Sequence, residues 1–150
     1  MSTLIHAVAA AVAIDADGPL AGVLILGGPG AGKSLLALDI VENCPWRRSA
    51  LVADDAVVLD LRHGALVARP PDRIAGLIEL RGFGVARIRS VASAEVLAAF
   101  DLEAGFERMP APKRFEAAGG SAPLFPFRAA RPAASAALRV ALRSICGGQS

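Results

Sequence analysis

The sequence predicts an α/β domain in which a mixed sheet carries flanking helices, and three observations predict it. A short apolar run, Gly22 to Leu26, ends in a glycine-rich loop that opens a helical pattern from Lys33 to about Glu42. A second apolar run, Ala50 to Ala53, stops at two adjacent carboxylates, Asp54 and Asp55. Further on, short apolar runs are separated by glycine-containing turns in the manner of hairpins. The 150 residues fit one domain spanning 1–150.

Composition narrows the function classes. With 54% hydrophobic and 20% charged residues, the chain has ample apolar surface for folding and is not of the disordered type. Much of that apolar content is Ala, which buries little area per residue, so self-association is expected to cover what a thin core leaves exposed. Sixteen basic and fourteen acidic residues leave a formal charge of +2, without the basic stripe that a nucleic-acid partner requires. Cys44 and Cys146 lack the spacing of a metal knuckle or redox pair and suggest a reducing cytoplasm. Leu4 to Ile14 is apolar apart from His6, too short to span a bilayer and without a basic leader, and reads as a buried strand ahead of Asp15, Asp17 and Gly18. No membrane partner is expected.

Beyond the second apolar run, Val57 to Leu61 and Ala65 to Ala68 flank a turn at Arg62, His63 and Gly64 and predict a hairpin. Ile78 to Leu80 and Val85 to Ile88 flank another turn, containing Gly82 and Gly84. Val96 to Leu102 fits a strand or a short helix equally well. Met109 to Pro126, rich in Pro, Ala and Gly, reads as a long surface loop. Ala129 to Ile145 then carries the Leu138, Leu142 spacing of a helix.

The strongest motif is Gly27-Gly28-Pro29-Gly30-Ala31-Gly32-Lys33-Ser34, the Walker A pattern of Gly, four residues, Gly, Lys and Ser. Its strand-to-helix context lets successive N–H groups curl around an anionic phosphate at the positive end of the helix. Lys33 is expected to bridge β- and γ-phosphates, and the Ser34 hydroxyl to reach Mg²⁺. If the helix crosses back and Ala50 to Ala53 runs parallel to the first strand, Asp54 and Asp55 emerge beside those phosphates. Adjacent strand-end residues point to different sides, so the two carboxylates are expected to play different roles. The short interval from Lys33 to Asp54 argues against motor and signalling NTPases.

Together the loop, the Leu51-Val52-Ala53-Asp54-Asp55 strand end and Glu79-Leu80-Arg81-Gly82-Phe83-Gly84 resemble the HPr kinase/phosphorylase family. The last segment matches that family's Glu-(Ile/Leu/Val)-Arg-Gly-x-Gly signature, and Pro70 to Gly76 looks like the approach to it. The resemblance covers about Leu4 to Arg89 and is to the catalytic half, in a short form found in some proteobacteria. It implies a nucleotide-kinase-like P-loop fold related to that of phosphoenolpyruvate carboxykinase. It also implies ATP and Mg²⁺ as cofactors and transfer of phosphate to a serine of HPr, the phosphocarrier protein of sugar uptake, in the regulation of carbon metabolism. Many members run the reverse phosphorolysis, and hexamers are usual. Carried over to matching positions, Lys33 holds the phosphates, Ser34 and Glu79 hold Mg²⁺, Asp54 accepts the serine proton and Asp55 orients the constellation. His6 matches a histidine near the family's active site; a buried strand histidine is the plainer alternative. Arg108, in Phe106-Glu107-Arg108-Met109, is similar to an arginine that supports phosphate handling. A nucleotide-sensing module without phosphotransfer is the alternative function, against which the intact Lys33, Ser34, Asp54 and Glu79 count. A small-molecule kinase is disfavoured by the absence of an Arg-rich lid.

Overall fold

The computed structural model describes residues 2–71, 76–103 and 113–147. The chain opens with β1 (Ser2–Ile5) and β2 (Val8–Val12), so the stretch Leu4 to Ile14 is two strands broken at His6 rather than one. β3 (Ala21–Leu26) runs through the glycine-rich loop into α1 (Lys33–Glu42), and β4 (Ala50–Ala53) follows. β5 (Val57–Arg62) with β6 (Ala65–Arg69), and β7 (Leu77–Leu80) with β8 (Gly84–Arg87), form the two expected hairpins. Strand wins over helix in the ambiguous segment, as β9 (Ala94–Asp101).

A correction concerns 109–126. Its described residues are a third hairpin, β10 (Lys113–Ala117) and β11 (Gly120–Pro126), not a surface loop. The turn between them is Ala118-Gly119, both at positive φ (52° and 84°), which suits a two-residue hairpin connection. Prolines hid the pattern. Pro123 stands opposite Arg114 on β10, just ahead of Leu124, Phe125 and Pro126, which run parallel beside β9. The last element is α2 (Ala134–Gly147).

One nine-stranded mixed sheet holds the molecule together, in the order β1-β5-β6-β9-β3-β2-β4, with β11 and β10 branching from β9. β9 is the fork: on one side it lies parallel to β3, and on the other it meets β6 at Ala94 and Glu95 and β11 from Ala99 to Asp101. β2 is antiparallel to both β3 and β4, so those two run in the same sense, as expected, with β2 between them. At Gly22 the β3–β9 register shifts, and a Cβ there would stand 2.1 Å from the Glu95 carbonyl oxygen. Only glycine fits that approach.

Alternation along β2 supplies two cores. Val8, Ala10 and Val12 join Val23, Ile25 and Phe100 under the helices, where Leu36 and Ile40 of α1 and Leu138 and Leu142 of α2 pack. Ala9 and Ala11 face the other way, onto Val57, Leu59, Leu66 and Ala68 of the first hairpin. Small side chains on that face let this hairpin pack closely against β2. The Ala-rich composition thus serves a tight second core. α1 and α2 are joined by the Asp39 carboxylate, which accepts from the Ser135 N–H (3.1 Å) and hydroxyl (3.2 Å) and caps the α2 N-terminus.

Candidate active site

Strand direction gathers the predicted residues at one edge of the sheet. β3 and β9 are parallel with Leu26 opposite Asp101, and β4 runs in the same sense, so the segments following all three emerge together. β2 starts at that same edge, which brings His6 there too. His6 is exposed, at the bend between β1 and β2, and not a buried strand histidine. Its neighbour Ala7 donates its N–H to the carbonyl of Asp55 at 3.2 Å.

The Walker A residues form the loop that their sequence predicts. Gly32 adopts a left-handed conformation (φ 97°) to turn the chain into α1. Lys33 Nζ donates to the carbonyls of Gly27 (2.7 Å) and Gly28 (2.9 Å), and the Ala31 N–H closes the loop on Gly28 O at 3.2 Å. Pro29 and Gly30 form its exposed crest. Lys33 and Ser34 face a cleft of ≈ 530 Å³ that also takes in Asp54, Asp55, Glu79 and Arg81.

The two aspartates differ, as anticipated. Asp54 is half-buried; its Oδ1 accepts from the Ser34 hydroxyl at 2.6 Å, and its Oδ2 lies 3.4 Å from the Glu79 N–H. One carboxylate thereby joins the glycine-rich loop to the β7–β8 hairpin. Asp55 is exposed at φ 71°, and the Ala56 N–H reaches back to the Asp54 carbonyl at 2.9 Å, forming a γ-turn about Asp55. Such a conformation is costly for a residue with a side chain, and strained residues concentrate at functional sites.

Glu79 arrives from the separate two-stranded sheet, which is tied to β4 by neighbouring backbone bonds: Ile88 N–H to Gly76 O (2.8 Å), then Leu51 N–H to Arg89 O (2.9 Å). Next to this cleft lies a second hollow of ≈ 300 Å³, walled by Pro70, Pro71, Leu77 and Val85. Asp54, Asp55 and Glu79 line both spaces. Arg108 lies outside the described residues.

Sequence reasoning attached no role to Arg81, although it stands in a quoted motif, and it missed Glu103, whose Oε1 accepts the Gly28 N–H. Glu103 is 75 positions from its partner. No local pattern signals it; only the pairing of β9 with β3 brings it to the loop.

Comparison with known proteins gives a consistent picture. The model of the HPr serine kinase C-terminal domain family matches residues 4–100. The HPr kinase/phosphorylase of Halalkalibacterium halodurans is 41% identical over 80 residues, 53% of this chain and 24% of that protein. That of Variovorax paradoxus is 41% identical over 71 residues, 47% of this chain and 21% of that protein. The chain thus spans about a quarter of the length of the curated relatives it matches. The solved structure of the Hpr(Ser) kinase/phosphatase from Coxiella burnetii shares the fold, with a TM-score of 0.74 and 23% identity over 95% of this chain and 89% of that one. Among the described residues, no helix is long and apolar enough to cross a membrane.

Proposed function

Because the chain belongs to the HPr serine kinase C-terminal domain family, we propose that it is an ATP-dependent protein-serine kinase acting on an HPr-type phosphocarrier protein. The single observation that carries this reading is the shared acidic wall. It lines both the cleft of Lys33 and Ser34 and a neighbouring hollow with apolar flanks that suits the approach of a serine on a protein segment. The phosphate donor sits on the loop amides and Lys33, and the acceptor hydroxyl meets the carboxylates from the far side.

In this reading the hydroxyl proton passes to the Asp54 carboxylate, which the Ser34 hydroxyl holds in place. Asp55 and His6, at the same edge, orient the acceptor. The Lys33 ammonium offsets the charge on the transferring phosphoryl group. The Ser34 hydroxyl and the Glu79 carboxylate, lining one cleft, are hard oxygen donors of the kind that Mg²⁺ takes alongside phosphate oxygens, so these two would hold it. When bound, Mg²⁺ neutralises charge on the nucleotide phosphates. The same residues serve the reverse phosphorolysis. We place the reaction in the cytoplasm. We also infer a homo-oligomer, up to the family's hexamer, supported by the exposed Leu4 on the outermost strand β1 and Val140 on α2. A monomer by light scattering at micromolar concentration would contradict that association.

The test is incubation with labelled ATP, Mg²⁺ and HPr. Phosphoserine on HPr is expected, and Asp54→Asn lowers its rate by about 10²–10⁴-fold while nucleotide affinity stays within a few-fold. A folded Asp54→Asn protein with undiminished transfer sinks the general-base assignment. Nucleotide binding with no transfer by the unaltered protein favours the nucleotide-sensing module instead.

A further inference from the structure

The peptide group between Gly27 and Gly28 is held on both edges. Its N–H donates to Oε1 of Glu103, and its carbonyl accepts from Lys33 Nζ at 2.7 Å. No peptide bond among the described residues is cis, and a trans peptide points its N–H and C=O in opposite directions. A carboxylate and an ammonium therefore face each other across one planar amide. Bonds at the two ends of an amide polarise it in the same sense, so each strengthens the other.

Two further observations show that this arrangement is built. A Cβ at position 28 would lie 2.9 Å from Glu103 Oε1, so the glycine there leaves room for the carboxylate. The Glu103 backbone is itself fixed, because its N–H donates to Asp101 Oδ1 at 2.9 Å and the preceding Leu102 N–H donates to Leu26 O at 2.9 Å. The end of β9 is thus bound to the end of β3 where the loop begins.

We propose that Glu103 is a positioning residue for Lys33, acting through the Gly27–Gly28 peptide. Its charge strengthens the loop carbonyl's hold on the ammonium and so sets how readily Lys33 turns to an incoming phosphate. The proposal rests on the loop's binding nucleotide phosphates, part of the reading above, and not on transfer to a protein. Glu103 is exposed, so the effect is moderate in size.

The test uses the full chain with Glu103→Gln, which keeps an accepting oxygen and removes the charge, and Lys33→Met, which keeps a similar apolar stem and removes the ammonium. In amide NMR spectra of the protein without nucleotide, the Gly28 proton moves upfield in each variant. By calorimetry, Glu103→Gln tightens ATP binding by about three- to tenfold in the otherwise unaltered protein. In the Lys33→Met background it changes affinity by less than about twofold. Equal tightening in both backgrounds identifies Glu103 as a charge that simply repels polyphosphate, and overturns the proposal. So does a Gly28 resonance that Lys33→Met leaves in place. If Lys33→Met binds ATP too weakly to measure, the resonance decides. Transfer to HPr enters neither measurement, so a protein that binds ATP without phosphorylating HPr defeats the kinase reading and leaves this test intact.

Discussion

Asp55 combines a positive φ of 71° with a γ-turn closed by its two neighbours, and the N–H of Ala7, just ahead of β2, donates to its carbonyl. The left-handed region costs a residue with a Cβ roughly 1–2 kcal/mol, and the exposed side chain recovers little of that through packing. Asp55→Gly should therefore stabilise the fold by about 1 kcal/mol, read as a higher urea midpoint, while phosphotransfer falls with the loss of the carboxylate. A variant that is less stable than the parent would show that Asp55 is held without strain. At this scale much was legible in the sequence. Lys33, Ser34, Asp54 and Glu79 announce themselves because each stands in a contiguous pattern whose backbone geometry is local. Their division of labour was less legible: the bond from Ser34 to Asp54 joins residues 20 positions apart and depends on how β4 is placed.

Among the elements, α2 carries the clearest anomaly. Arg139 is 8% exposed, on the buried side of the helix with Ser135, Leu138 and Leu142, and its Nη1 has no hydrogen-bond partner among the described residues. A buried donor without a partner costs more than it contributes. Arg139→Leu should raise stability by about 1 kcal/mol, or roughly 2–4 °C in melting temperature for a chain of this size. A lower melting temperature would mean that the guanidinium is stabilised where it lies. Helix α1 was readable almost to the residue because a left-handed glycine starts it and Pro45 soon follows its end. The β10–β11 hairpin was not. Its turn uses Ala118 where Asn or Gly would have signalled the geometry, and its prolines argue against a strand unless the pairing partners are known.

The whole molecule depends on the close contact of β3 with β9, the strand at which the sheet forks. Gly22→Ala would drive a methyl group into the Glu95 backbone, 2.1 Å away, with no flexible side chain to yield. Such a clash should cost about 3 kcal/mol or more and lower the urea midpoint sharply. An unchanged midpoint would mean that the two strands separate at no cost. The class of fold, a mixed sheet with helices, was legible from the alternation of apolar runs and turns. The strand order was not, because β2 lies between β3 and β4 through pairings that no sequence neighbour dictates.

That fork also bears on how the protein is made. The glycine-rich loop is complete in the nascent chain once Ser34 has been added, yet Asp54, Glu79 and Glu103 join it only as later segments arrive, the last of them on the far side of β9. Hairpins such as β5–β6 can close within their own few residues, whereas the β3–β9 pairing joins segments with α1 and β4 to β8 between them in the chain. Synthesis must therefore pass residue 103 before the loop gains all of these partners. A ribosome-bound chain stopped short of that point carries the glycine-rich loop without the Glu103 carboxylate that holds its Gly28 N–H.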